Sequence, residues 1–99
     1  MSQRDFTPIH PGEILQEDFL YPMNLTAENI ARAISVPTAR IDDIVSGKCS
    51  ITAETALRLG YFFSMEAQFW MNLQTRYDLE VARESLAGRL EREVRVRLC

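Results

Sequence analysis

The chain has 99 residues and is 46% hydrophobic, 25% charged and 9% aromatic, a globular composition with room for one small core and not two. Its 11 basic and 14 acidic residues give a net charge of −3, which excludes a uniformly basic nucleic-acid binder and confines any DNA contact to a local patch. Cys49, Cys99 and the single histidine, His10, supply neither a disulfide framework nor a zinc set, and no apolar run is long enough to span a bilayer.

The spacing predicts helices throughout. Pro11 opens the first, with Glu13 in the first turn and Ile14, Leu15, Phe19 and Leu20 as its apolar stripe, and Tyr21–Pro22 stops it. Thr26 is an N-cap for the second helix, whose inner face is Ile30, Ala31 and Ile34. After Ser35–Val36–Pro37, a third helix runs from about Thr38 to Ser46, with Gly47 in the left-handed position behind it. Thr52 caps a fourth, with Ala56, Leu57, Gly60 and Phe63 on one face. Ser64 is read as the cap of a fifth, which carries Phe69, Trp70, Leu73 and Tyr77. Adjacent Phe69 and Trp70 diverge by about 100° on a helix, so one needs cover from outside the main core. Leu86, Leu90 and Val94 continue a helical stripe, with Gly88 as its weak point. The expected architecture is all-α: five helices over residues 1–83 and a C-terminal helical extension over residues 84–99.

The segment 27–46 carries the most information. Ile30, Ala31, Ile34, Val36, Ile41 and Ile44 fall at the offsets of a helix-turn-helix. Small Ala31 lets the second helix of the motif approach, Val36 plugs the corner, and Ile41 and Ile44 pin the third helix so that its other side is free. Ser35 stands where glycine is usual in the turn. On this reading Thr38, Ala39, Arg40 and Asp43 meet the major groove, where Arg40 has the geometry for guanine and Asp43 for a cytosine amino group. Lys48 is the phosphate contact, and Thr26 and Thr52 cap helices whose N-termini offer backbone donors to phosphate. Asp42 and Asp43 oppose this, and residues 26–58 carry four charges of each sign, so modest affinity per monomer and a requirement for a dimer are expected. From residue 83 onward five arginines stand against three glutamates, a basic tail on an acidic body.

His10–Leu15 (HPGEIL), Ile44–Lys48, Thr55–Leu59 and Phe69–Gln74 (FWMNLQ) with Tyr77–Leu79 resemble the HigA family of antitoxins, also called VapI-like, within the larger Xre or phage-repressor-like helix-turn-helix group. The resemblance covers roughly residues 8 to 83. It implies a homodimer that binds double-stranded operator DNA, neutralises a HigB-type, RelE-like mRNA-cleaving toxin and represses its own operon. Cys49 stands where arginine or lysine is common in that family, which removes one phosphate contact. An acidic body would steer a basic toxin, with Glu13, Glu17 and Asp18 as the expected surface and the tail serving self-association.

Nothing in the sequence supports catalysis. His10 beside Pro11 reads as a helix cap, no glycine-rich phosphate loop exists, and no metal or cofactor set is present. The expectation is therefore a cytoplasmic binding protein with reduced thiols, no membrane partner and no cofactor. A phage-type repressor without a toxin, or a protein-binding module with weak DNA affinity, stand as alternatives. An adjacent basic reading frame for the toxin would separate them.

Overall fold

The computed structural model describes residues 7–97, so Cys99 and the end of the expected tail at Leu98 lie outside the described residues. Helix α1 (Pro11–Ile14) continues into a π-wound segment (Leu15–Leu20), followed by α2 (Ala27–Ile34), α3 (Thr38–Val45), α4 (Ala53–Phe63), α5 (Ala67–Ser85) and the single turn α6 (Leu90–Glu93). The class is all-α, with the short α6 added to the five expected helices. Among the described residues no helix is long and apolar enough to cross a membrane.

Most boundaries follow from local chemistry. Pro11 sits in the first turn, where its missing N–H costs nothing, and the Gly12 N–H donates to His10 Nδ1 at 2.9 Å. The π winding resolves an awkward spacing. Leu15 and Leu20 are five residues apart yet both lie in the core, because the wider turn brings residues at that separation towards one face. Tyr21 N–H donates to Gln16 O at 3.0 Å, one of the five-residue bonds this winding makes.

Helix α2 begins in a reciprocal box: Asn29 N–H donates to Thr26 Oγ1 and Thr26 N–H donates to Asn29 Oδ1, each at 3.0 Å. It ends at Ser35, whose φ of 60° is left-handed, and the Val36 N–H closes the turn on Ala31 O at 3.0 Å. Ile30, Ala31 and Ile34 from α2 and Ile41 and Ile44 from α3 enter one core with Leu15, Leu20, Ile51, Ala56, Leu59 and Trp70. Ala31 is buried and Val36 half-buried, the roles the spacing gave them. Gly12 brings α1 against α3, because a Cβ there would collide with the Ile44 carbonyl.

Around α4, two side chains differ from expectation. Ser64 does not cap α5; it closes α4 in the left-handed region (φ 57°), its N–H bonded back to α4 carbonyls, while Glu66 precedes α5 without a side-chain cap bond. Leu57 is 55% exposed rather than inward, because Ala56, Leu59 and Gly60 take the buried side of α4. With Tyr61, it forms an exposed apolar strip. The Phe69–Trp70 problem resolves through the π-wound segment: Trp70 is fully buried, and half-buried Phe69 and Trp70 meet Phe19 at ring distances of 6.0 and 4.9 Å.

Helix α5 passes residue 83 without a break and ends at Ser85. Gly88 then adopts φ 80°, so the Leu86–Leu90–Val94 stripe is not one continuous helix: Leu90 begins the single turn of α6 and Val94 is extended. Among residues 86–97 only Leu86 is even half-buried.

Candidate nucleic-acid interface

Helix α3 is held by Ile41 and Ile44, both fully buried, and projects its opposite side outward. Thr38, Ala39 and Arg40 at its N-terminal end are exposed, and Pro37 before them supplies no side-chain cap. Thr26, Lys48 and Thr52 are exposed as well. Thr52 caps α4, its Oγ1 accepting from Thr55 N–H at 3.3 Å. Asp43 is the exception among the seven candidates, being half-buried. The α3–α4 loop folds back on it: its carbonyl accepts from the N–H groups of Lys48 (2.8 Å) and Cys49 (3.1 Å) and from Ser46 Oγ (3.2 Å). Its carboxylate Oδ2 lies 4.0 Å from the Cys49 thiol. Asp42 is exposed, so it is the carboxylate that meets solvent on this helix.

Half of the charges in residues 26–58 are taken up in pairs, and the rest, Arg40 and Lys48 against Asp42 and Asp43, still balance. Arg32 is bound to Glu28 at 2.9 Å and Arg58 to Glu54 at 3.0 Å, both one helical turn apart. Arg58 also donates from Nη1 to Ile34 O at 2.8 Å, tying α4 to the end of α2. Among the described residues neither Arg40 nor Lys48 belongs to an ion pair. Within residues 26–58 the cations left to meet a polyanion are therefore Arg40 at the tip of α3 and Lys48 in the loop behind it.

That loop is gripped from elsewhere. Ile51 N–H donates to Gln74 Oε1 at 2.7 Å, a buried bond from α5. The His10 ring lies against this loop, beside Gly47 and the Cys49 backbone, and stands edge-on to Tyr77 at 4.8 Å. Burial lowers the pKa of His10, an effect partly offset by the Cys49 backbone and by the charge of Asp78. Gly47 turns the loop with φ 83°.

No profile of a known protein family matches the chain. Individual relatives do. Virulence-associated protein I of Dichelobacter nodosus is 48% identical over 82 residues, 83% of this chain and 76% of that protein. The structure of Pseudomonas aeruginosa antitoxin HigA with the higBA promoter superposes with a TM-score of 0.88 at 42% identity, covering 92% of this chain and 99% of that one. The chain belongs to the HigA family of antitoxins. The antitoxin GraA in complex with its operator also superposes, at TM-score 0.89 and 33% identity over the full length of both chains.

Spacing identified the exposed tip of α3 in this HigA-family chain and the caps beside it. It missed Arg58 as a strut and Gln74 as a clamp. His10 was legible as a cap and not as a holder of the loop. The only signal for Gln74 was its place in the FWMNLQ stretch.

Proposed function

We propose that this HigA-family chain is a homodimeric, operator-binding antitoxin that represses its own operon and neutralises a HigB-type, RelE-like mRNA-cleaving toxin in the cytoplasm. The observation that carries this reading is the exposed tip of α3 with Arg40 and Lys48 outside every ion pair among the described residues, on a fold whose relatives include a HigA with its promoter and GraA with its operator. In this reading Thr38, Ala39 and Arg40 meet base edges, with Arg40 bidentate to guanine. Asp43 contributes from the flank, Lys48 binds phosphate, and the Thr26 and Thr52 caps present helix N-termini to the backbone. Residues 1–83 form the DNA-binding unit and 84–99 an appended extension. Glu13, Glu17 and Asp18, all exposed, offer an acidic surface to a basic toxin.

Footprinting the promoter region with purified protein tests the repressor half. Protection of a palindromic site is the expected result, and no protection at micromolar protein and low salt refutes it. Co-purification tests the other half: an adjacent gene product held by the full-length chain is expected, and its absence refutes the antitoxin reading while sparing the repressor.

A further inference from the structure

The loop that carries Lys48 is short, exposed and rich in small residues, which by itself would leave its backbone loose. Three elements hold it. Helix α3 holds it through the Asp43 carbonyl, which accepts from Lys48 and Cys49 N–H. The N-terminus of α1 holds it through His10, whose Nδ1 accepts from Gly12 N–H, leaving the far side of the ring for the Cys49 backbone. Helix α5 holds it through Gln74, 4% exposed, whose Oε1 takes the Ile51 N–H at 2.7 Å.

The last two supports are connected. Gln74 Nε2 donates to Asp78 Oδ1 at 3.0 Å, and the Asp78 charge also acts on His10. Tyr77, on the same helix, packs its ring against His10. Gln74 is bonded to Asp78, whose charge reaches His10, and Gln74 and His10 stand against the loop backbone at Ile51 and Cys49, on either side of Ser50. Lys48 precedes the first grip and the Thr52 cap follows the second. A lysine in such a place meets a phosphate with its backbone already fixed, so little backbone entropy remains to be lost on binding. The bond from Ile51 is also costly to break, since an apolar side chain at residue 74 would strand a buried N–H.

We propose that Gln74, far from the tip of α3 in sequence, is a positioning residue for phosphate binding, acting with Asp78 and His10 to fix the loop between Lys48 and Thr52. This rests on the DNA-binding reading above, and the test keeps the two apart.

The full-length protein is measured as wild type, Gln74→Met, Lys48→Ala and the double variant Gln74→Glu/Asp78→Asn. The double variant keeps an acceptor for Ile51 N–H and reverses the direction of the bond between residues 74 and 78. Amide exchange is followed over Gly47–Ile51, and binding to the duplex protected by the wild type is titrated at several salt concentrations. In Gln74→Met, exchange at Ile51 rises about tenfold or more. The slope of log K against log salt falls by about one, as it does in Lys48→Ala. Adding Lys48→Ala to Gln74→Met changes the slope no further. Gln74→Glu/Asp78→Asn restores both readouts, which a variant that merely folds poorly would not do.

Unchanged exchange at Ile51 in Gln74→Met overturns the inference. So does an unchanged salt slope with uniformly weaker binding, the signature of lost active protein. A wild type that protects no duplex overturns the DNA-binding reading itself, and that result is read before any variant is compared.

Discussion

In the α3–α4 loop, the backbone of residues 47–51 is held against α3, α1 and α5, and one cation, Lys48, stands on it. In the arm beyond Ser85, Arg89, Arg92, Arg95 and Arg97 stand on a backbone from which no side chain is fully buried. Two of these arginines are spent locally: Arg89 pairs with Glu93 at 3.2 Å and Arg92 donates to Gly88 O at 2.7 Å. The basic count is higher where the support is weaker. A charge count along the sequence ranks the tail first, whereas the order needed to read a groove favours the loop. Recognition depends on where a cation is held more than on how many are present.

The largest expected effect lies in the core that supports the loop side. Trp70→Ala removes a fully buried indole and is expected to cost about 3–5 kcal/mol, a large share of the stability of a domain this size. Leu90→Ala in the arm should stay within about 0.5 kcal/mol. Urea melts of the two variants check this, and similar losses would break the contrast.

Next comes base reading. Arg40→Ala should cost about 1–3 kcal/mol and relax preference at one base pair, measured by competition among operator variants. Replacing Arg95 and Arg97 together should leave that preference unchanged. A smaller effect separates the loop from the arm by salt. Lys48→Ala should lower the salt slope by about one and weaken all sequences alike, while Arg92→Ala leaves the slope in place.

The smallest effect concerns pH. Burial lowers the His10 pKa, so the unfolded chain binds that proton first and more tightly. Stability then rises with pH through this group: its contribution is whole above about pH 6.5 and declines as pH falls towards the lower folded value. His10→Gln should flatten that part of the profile in melts taken from pH 8 downward.

The legible features were those set by neighbours in sequence. Pro11, Thr26, Thr52 and Gly47 mark helix ends within one turn of themselves, and the structure has each in that role. Ile41 and Ile44 gave the buried side of α3 because three-residue spacing fixes a face. Ser64 was misread because a serine between two helices suits either the left-handed end of one or the cap of the next, and only the bond to Gly60 O decides it. Leu57 lies at the border of the apolar face of α4, where angular counting is least sharp. The Arg58 and Gln74 contacts join residues 24 and 23 positions apart, and no local pattern encodes such a pairing. The half-burial of Asp43 comes from the loop folding back over α3, which a helical wheel drawn for α3 alone does not contain.

Trp70 is the only tryptophan of the chain, enclosed by Phe19, Phe63 and Phe69, and its buried Nε1 finds no hydrogen-bond partner among the described residues. An indole packed among aromatic rings, with no hydrogen bond at its ring nitrogen, has little polar surrounding to relax around its excited state. Its emission should sit at the short-wavelength end of the tryptophan range and move to longer wavelength when the core opens. The domain therefore has a built-in optical reporter of its own packing, readable without a label.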